Sequence, residues 1–600
     1  TLFLIFVSLC YGCQKNVSVT FDPVQNYLVK KLDESTVELA LIAEAGSRDS
    51  AIKHFERARH AFKAAEPFAQ YFNADNVQKV NGPPLPIYRE DNGKVLNPVS
   101  LQAIDEQLYS GEELDKVLLN YRVDILTGYL KNLSQTVSSR EINPKRFFVP
   151  IHLQFMRIFS LSTISFDTPV SMRGLDDAIT SLESIKDIYT MSIGDTVSYM
   201  DDDLHTRFLS ELSDAINYIK ANNDFETFNR YEFGREYLNK LTKSWVEIRK
   251  KSGLFEDPKI YALNLDAPTF FEPNSFNVLK FRSSFNRTPT DEQIALGKDL
   301  FFDPRLSASG KLSCASCHNP ESAYQDGLIT GRDKDGNPLK RNTPTLINVI
   351  YQKKFFWDGR SDNLEQQITQ VFETEEEFDQ AGHAISIEIL EDPEIVSKLA
   401  KAYGGQKPTR NEIVKSIASF TSTLNAFNSR FDKNMRGELD DFSESEIRGM
   451  NLFMGKAVCA TCHFIPLTNG TVPPTFSETE KEILGTPETA ANLQVDDDPG
   501  FYWVYREDIH KYMFKTPTIR NIEYTAPYMH NGVYKTLEEV MDFYNRGGGG
   551  GMGFDLPHQT LPFDSLGLEI EEVKDIVAFM KTLSDTSIDA QYSTVVLTSS

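Results

Sequence analysis

Apolar residues recur at every third or fourth position through much of the first part of the chain, which is the spacing of one face of an α-helix. Two clear series are Ile52, Phe55, Ala58, Phe62 and Ala65, and then Leu114, Val117, Leu118 and Tyr121. Breaks that contain proline or glycine, at 82–84 and 143–144, separate such series because these residues interrupt helices. The pattern predicts a helical domain over residues 25–252 and does not indicate what that domain does.

Another pattern occurs twice in the second half of the chain, after a segment at 253–287 that lacks periodicity and predicts a connection. Each copy opens with a helix capping box, in which Ser or Thr is followed three residues later by Glu or Gln. Each copy continues into Gly-x-x-Leu-Phe and closes with a helix that has one apolar face. These features are Thr290 with Gln293, 297–301 and 413–427 in the first copy, and Ser443 with Glu446, 449–453 and 571–583 in the second.

Both copies contain a complete C-x-x-C-H pentapeptide between their opening and closing helices. The residues are Cys314, Ala315, Ser316, Cys317 and His318, and then Cys459, Ala460, Thr461, Cys462 and His463. Two cysteines three apart can form thioethers to one porphyrin edge, and the adjacent histidine then reaches the iron. A zinc half-site would need four ligands from paired motifs, and a redox dithiol does not need the histidine. The two pentapeptides therefore predict two covalently bound c-type haems.

These patterns together predict a mainly α fold, because 600 residues are too many for a single core. We expect a helical domain of unknown function at 25–252 and two cytochrome c-like domains at 253–440 and 441–600. The formal net charge of −24 excludes nucleic acid as a partner, since phosphates would be repelled. It is compatible with a positively charged protein partner.

The first residues of the chain form an apolar run that is too short to span a bilayer. We interpret residues 1–24 as a secretory signal, in which Gly12 before Cys13 suits a lipoprotein peptidase and makes Cys13 a lipid-bearing N-terminus. Ordinary signal cleavage is the alternative. Either interpretation predicts an exported protein, periplasmic or in the cell envelope. The haem motifs use four of the six cysteines and only Cys10 and Cys13 remain, so no structural disulfide is expected.

Several motifs carry a resemblance to a known family. They are the segments at 314–320, 341–345, 356–360, 459–463, 516–521 and 525–532. Over residues of about 285–585 the chain resembles the bacterial di-haem cytochrome c peroxidase and MauG family. The resemblance implies a peroxide-binding first haem with His318 as iron ligand and an electron-transfer second haem with His463 as iron ligand. Many family members cap the first haem with a second histidine, but no histidine lies between His318 and His383. The first haem is therefore expected to be open, as in MauG, with no reductive activation step.

The family's catalytic residues can be placed by their distance from Trp357. The resemblance puts the distal glutamine at Gln367, to orient peroxide, and the distal glutamate at Glu377, to move a proton between the peroxide oxygens. Val371 stands where the family usually has proline. Glu377 also fits a solvated acidic run, and Trp357, which resembles the tryptophan between the two haems, also fits a simple core residue.

The remaining metal ligands follow from the same resemblance. Family spacing puts the sixth ligand of the second haem at Tyr544, with Met529 and Met552 as alternatives. Asn342, Thr525 and Pro527 correspond to the family's calcium ligands, the last two through backbone carbonyls. The glycine run at 547–551 is expected to be a flexible loop.

The sequence thus favours a peroxidase that reduces hydrogen peroxide with electrons passing from the second haem to the first through Trp357. The alternatives are a MauG-like oxidase of a protein or organic substrate and a di-haem electron carrier. The expected cofactors are two c-type haems and one calcium ion. The expected partners are hydrogen peroxide, a small electron-donor protein (a cytochrome or a cupredoxin), a lipid anchor at Cys13 and a second copy in a homodimer.

Overall fold

The computed structural model describes residues 19–83, 87–89, 94–379, 387–405, 409–585 and 587, and within them the fold is mainly α, as predicted. The predicted signal and lipid anchor, with Cys10 and Cys13, lie outside the described residues apart from the last few positions of the 1–24 segment, and His383 also lies outside them. Within the described part, no helix combines the length and the apolar character that crossing a bilayer requires.

The helical domain begins with a long antiparallel arrangement in which α1 packs against α2 and α5. Its helices are α1 (Asp22–Ala43), α2 (Arg48–Phe72), α3 (Ala74–Asn81), α4 (Leu101–Tyr109), α5 (Lys116–Ser139), α6 (Pro144–Arg157), α7 (Gly174–Thr190), α8 (Gly194–Met200), α9 (Asp202–Ala221), α10 (Arg230–Glu232) and α11 (Asn239–Ser252). Strands β1 (Ile87–Arg89) and β2 (Lys94–Leu96) pair antiparallel, and π-helical turns follow α6 at Ile158–Ser162 and α10 at Phe233–Leu238. The periodicity of the sequence is confirmed as helical.

The core of this domain is built around the buried indole of Trp245 on α11. The rings of Phe147 and Phe148 on α6 lie 5.8 and 5.1 Å from it, and Phe208 on α9 stacks at 5.7 Å. The indole Nε1 donates to the Phe148 carbonyl at 3.2 Å, so the one polar atom of this ring is satisfied. These contacts join three helices that are far apart in the sequence.

Buried charges also connect the helices of this domain. Lys63 on α2 is 1% exposed and donates to Glu66 at 3.0 Å and to Asp167 at 2.5 Å. Arg59, one turn earlier, forms a bidentate pair with Asp177 on α7. Because each charge is paired inside the protein, the cluster avoids the large cost of an isolated buried ion.

The second half of the chain repeats one arrangement. Its helices are α12 (Val278–Phe281), α13 (Asp291–Phe301), α14 (Cys314–Cys317), α15 (Leu364–Glu373), α16 (Ile387–Glu391), α17 (Pro393–Tyr403), α18 (Arg410–Thr421), α19 (Arg430–Met435), α20 (Glu444–Met454), α21 (Tyr502–Tyr505), α22 (Leu537–Asn545), α23 (Gly548–Gly551) and α24 (Ile570–Lys581). Strands β3 (Lys481–Ile483) and β4 (Met513–Lys515) pair antiparallel. Both predicted capping boxes are present, at Thr290 and at Ser443.

In each copy the opening helix crosses the closing helix at a glycine. A Cβ on Gly297 would lie 1.8 Å from the Ser416 carbonyl oxygen, so α13 and α18 touch backbone to backbone. A Cβ on Gly449 would lie 1.9 Å from the Asp575 carbonyl oxygen, which places α20 equally close to α24. The glycine of each Gly-x-x-Leu-Phe motif is therefore the contact point of the repeat.

The prediction of a flexible loop at 547–551 is wrong, because Gly548–Gly551 forms the helical turn α23. Gly547 has a φ of 81°, which an L side chain would adopt only with strain. A Cβ on Gly551 would lie 1.9 Å from the Arg546 carbonyl oxygen, and one on Gly550 would lie 2.3 Å from the Phe563 ring. The glycines permit close packing here instead of providing flexibility.

Gly297→Ala and Gly449→Ala are each expected to lower the midpoint of thermal unfolding, because the new methyl group overlaps a backbone oxygen. Overpacking of this kind costs about 1–3 kcal/mol. Gly128→Ala is the matched control, since Gly128 lies inside α5 with no atom within 4 Å of its Cβ position. There alanine should stabilise the helix by about 1 kcal/mol. Equal unfolding midpoints for all three variants would contradict this account of the crossings.

Candidate active site

The first C-x-x-C-H motif forms a single helical turn with the histidine at its end. Ser313 and Ser316 cap the turn reciprocally, which fixes the start of α14. Nδ1 of His318 lies 3.1 Å from the Tyr324 carbonyl oxygen. That hydrogen bond leaves Nε2 as the nitrogen available to an iron ion. Burial lowers the pKa of His318, so the neutral ring that iron requires is favoured.

The second motif begins with a tighter turn at Cys459–Thr461, entered through Val458 at a φ of 48°. Burial lowers the pKa of His463 to about 4, and this ring is therefore neutral over the physiological range. Its Nδ1 is buried and makes no hydrogen bond of good geometry, although the carbonyls of Pro517 and Thr468 lie beside the ring. The two histidines thus differ in how their second nitrogen is held.

A cavity extends from the second motif to Trp357 and Gln367. Cys459, Cys462 and His463 belong to its wall, and none of the four motif cysteines is used in a disulfide. Most of the remaining wall is apolar, including Leu346, Val349, Phe355, Phe453, Ile519, Leu537, Met541 and Leu566. An apolar space with two thiols and a neutral histidine at its edge fits a covalently attached porphyrin. The residues present therefore fit the predicted second haem.

Two of the three candidates for the sixth ligand lie in this cavity. Tyr544 on α22 and Met529 both line it, whereas Met552 follows α23 and is not part of the cavity wall. Burial raises the pKa of Tyr544 strongly, and the neighbouring thiols of Cys462 and Cys459 add to the effect. The phenol therefore sits beside the attachment cysteines, where an iron ion could bind and ionise it.

Glu377 is separated from the acidic residues around it. Glu373, Glu375 and Glu376 are exposed, whereas Glu377 is half-buried in the turn after α15. Burial raises the pKa of Glu377 to about 7, Arg360 opposes the rise, and Glu376 adds to it. The charge of Glu377 acts in turn on both Cys314 and Cys317. This carboxyl group is therefore close enough to the first haem motif to raise the pKa of both cysteines.

Trp357 lines the cavity of the second motif and makes hydrogen bonds through both its ring and its backbone. Its indole Nε1 donates to the Asn342 carbonyl at 2.8 Å, and its own carbonyl accepts from the Lys515 backbone N–H at 2.8 Å. Gln367 on α15 lines the same cavity. The indole N–H of Trp357 is satisfied, as it is in the core residue Trp245, so these bonds fit both a core and a bridging tryptophan.

The predicted calcium ligands also lie together. Asn342, Thr525 and Pro527 line the cavity next to Trp357, and the Asn342 Nδ2 atom donates to the Leu328 carbonyl at 2.9 Å. Among the residues described by the structure, no group of three or more His, Cys, Asp or Glu could hold a metal ion. Any ion at Asn342 would therefore depend on amide and carbonyl oxygens.

Three charged groups around the second motif, one buried and two half-buried, have no signal in the sequence that predicts them. Lys515 on β4 is 8% exposed and donates to Gln352 Oε1, and burial lowers its pKa to about 7. Burial also raises the pKa of Glu480 to about 8, and it raises that of Glu482, which accepts from the Cys462 thiol at 3.4 Å. Glu482 and Lys515 belong to three-residue strands, and Glu480 directly precedes the first of these strands. Strands this short leave no readable alternation in the sequence.

Comparison with known proteins agrees with the site. A family model described as di-haem cytochrome c peroxidase matches residues 291–440. Cytochrome-c peroxidase IdrP1 of Pseudomonas sp. (strain SCT) is 35% identical over 315 residues, which cover 49% of this chain and 81% of the relative. This chain belongs to the di-haem cytochrome c peroxidase and MauG family.

Other members of the family match the same extent of chain. The methylamine utilization protein MauG of Methylorubrum extorquens is 33% identical over 49% of this chain and 78% of its own length. A crystal structure of a MauG-like protein associated with microbial copper homeostasis matches 52% of this chain and 94% of its own at 27% identity, with a TM-score of 0.44. Family membership makes this protein a di-haem enzyme of the peroxidase class with two c-type haems.

Replacing both cysteines of one motif by alanine should remove one covalent haem and leave the other. Cys314→Ala with Cys317→Ala removes the thioethers of the first motif, and Cys459→Ala with Cys462→Ala removes those of the second. Intact mass under denaturing conditions should fall by one haem in each double variant. A double variant that keeps both haems would contradict the attachment sites.

Proposed function

We propose that this protein reduces hydrogen peroxide to two water molecules, with two protons and with two electrons from a small exported electron-carrier protein, a cytochrome or a cupredoxin. The observation that supports this proposal best is that Glu377 is half-buried and its charge raises the pKa of Cys314 and Cys317, while its acidic neighbours are exposed. IdrP1 and its relatives are named cytochrome-c peroxidases, which agrees with the same reaction.

The distal residues perform the proton chemistry. When bound, the haems supply iron centres that react with peroxide and exchange single electrons. Glu377 accepts a proton from one peroxide oxygen and delivers it to the other, which becomes the leaving water. Gln367 orients the peroxide molecule through its side-chain amide. A carboxyl with a pKa near 7 is suited to both accepting and returning a proton at neutral pH.

With both haems bound, the second would receive electrons from the donor protein, and Trp357 is proposed as the residue through which they would pass to the first. The indole N–H donates to the Asn342 carbonyl, and the Trp357 backbone carbonyl accepts from the Lys515 N–H, so we expect little rearrangement of Trp357 when its charge changes. Tyr544 is proposed as the second ligand of the iron held by His463, because both residues line one cavity. Calcium held by the Asn342 side chain and the carbonyls of Thr525 and Pro527 would keep the Asn342 carbonyl against the indole.

The proposed site of action is outside the cytoplasm, with the protein periplasmic or lipid-anchored through Cys13. This follows from the apolar run and Gly12 of the sequence and from c-type haem itself, whose attachment takes place in exported proteins. A homodimer is the proposed assembly.

A MauG-like oxidase of a protein or organic substrate is the second candidate. Tyr544 in the cavity of the second motif and the lack of histidine between His318 and His383 favour it. Steady-state turnover of hydrogen peroxide with a reduced cytochrome or cupredoxin supports the peroxidase. Rapid reaction with peroxide but no turnover with such donors supports the oxidase.

Glu377→Gln should lower kcat/KM for peroxide by about 10²–10⁴, because a general base is lost. In the wild-type protein the base form of Glu377 is populated above its pKa of about 7, so activity should rise with pH through that value. The variant should lack this inflection. Glu376→Gln is the matched control from the exposed run and should keep both rate and inflection. If the two variants have the same rate and the same pH dependence, Glu377 does not take part in the reaction.

Tyr544→Met should raise the midpoint potential of the second haem, because a phenolate stabilises ferric iron relative to a thioether. Met529→Leu tests the alternative ligand in the same cavity and should leave the potential unchanged. Spectroelectrochemical titration of both variants measures the effect. A potential that moves in Met529→Leu but not in Tyr544→Met would reassign the ligand to Met529.

A further inference from the structure

The helical domain, which lies outside the region of family resemblance, contacts the segment that follows the second haem motif. Ser160 Oγ donates to the Ile465 carbonyl at 2.6 Å, and the Phe166 ring meets the Phe464 ring edge-on at 5.4 Å. Phe464 and Ile465 are the two residues directly after His463. The helical domain therefore touches the chain at the side of the second haem where its histidine ligand is held.

The chain between His463 and Thr468 forms a turn whose backbone carbonyls accept hydrogen bonds. Thr468 donates its N–H to the Phe464 carbonyl at 2.6 Å, and Arg520 donates to the Pro466 carbonyl at 2.6 Å. With Ile465 held by Ser160, three successive carbonyls are fixed. The Thr468 carbonyl at the end of this turn lies beside the His463 imidazole. That carbonyl also accepts from the Ile519 N–H at 2.9 Å, and the Pro517 carbonyl lies beside the same ring. The position of the Thr468 carbonyl therefore depends on the turn on one side and on Ile519 on the other.

Ser160 reaches Ile465 because it lies in the π-helical turn Ile158–Ser162. Such a turn accommodates an extra residue, re-aims the side chains that follow, and often occurs at functional sites. The second π-helical turn, Phe233–Leu238, lies at the same interface, where Gly234 packs against Phe159 and Met435. Both irregular turns of the domain therefore face the haem-binding half.

We propose that Ser160 is a positioning residue for the second haem, and that the helical domain sets the redox potential of this haem by holding the turn after His463. A carbonyl beside the second nitrogen of an iron-bound histidine controls how much negative charge the ring supplies to the metal. Moving the turn changes that interaction and with it the potential. The inference rests on the electron-transfer role of the second haem in the proposed function.

The test uses the full-length, haem-loaded protein and the variant Ser160→Ala. The midpoint potentials of both haems are measured by spectroelectrochemistry, together with the low-temperature electron paramagnetic resonance spectrum of the ferric second haem. Ser160→Ala should shift the potential and the spectrum of the second haem and leave those of the first unchanged. The matched control is Ser184→Ala, because Ser184 is equally buried and donates to the Ala64 carbonyl at 2.6 Å inside the helical domain. The control variant should change neither the potential nor the spectrum of either haem.

Phe166→Leu is a second variant, for use if Ser160→Ala does not fold. It removes the ring contact with Phe464 and keeps the Ser160 hydroxyl. It should likewise shift the potential and the spectrum of the second haem and leave those of the first unchanged. Folded variants whose second haem is identical to that of the wild-type protein would overturn the proposal. A shift of equal size in Ser184→Ala would do the same. Absence of covalent haem at Cys459 and Cys462 in the wild-type protein would instead refute the proposed function.

Discussion

The close crossing of two helices at a glycine is the constraint on which each haem-binding half depends. Gly297 brings α13 against α18 and Gly449 brings α20 against α24, with no room for a side chain at either point. In each half the chain between the paired helices carries the C-x-x-C-H motif, and in the second half it also lines the cavity beside that motif. The residues proposed as distal, bridging and axial groups all belong to these intervening segments, whose ends are brought together by the two crossings.

Within this frame, charge is distributed unevenly between surface and interior. Most acidic side chains are solvated, but Glu377, Glu480 and Glu482 are held where burial raises their pKa. Lys515 is held where burial lowers its pKa. Burying ionisable groups in an uncharged or partly charged state lowers the stability of the fold. Proteins tend to keep such groups at sites where protons or electrons move. All four groups lie beside the haem motifs.

Local patterns predicted much of this structure, because helix caps, helix periodicity and the C-x-x-C-H turn each depend on residues within a few positions of one another. Thr290 and Ser443 therefore marked the starts of α13 and α20 correctly. The half-buried state of Glu377 could not be derived locally, since its neighbours Glu375 and Glu376 have the same chemistry and only tertiary packing separates them. The β3–β4 pair and Lys515 were missed because pairing joins segments about thirty residues apart. The glycine run at 547–551 was wrongly predicted to be a flexible loop, because glycine occurs both where a chain is flexible and where it packs closely.

The contact between Ser160 and Ile465 has a consequence for communication between the two halves of the molecule. A hydrogen bond from one domain to the backbone beside a metal ligand couples two equilibria, and such coupling is reciprocal. Any molecule whose binding distorts the π-helical turn would alter the ease of reducing the second iron. By the same linkage, reduction of that iron would alter the affinity of the helical domain for such a molecule. The additional domain would then report the redox state of the enzyme to a partner as well as support its fold.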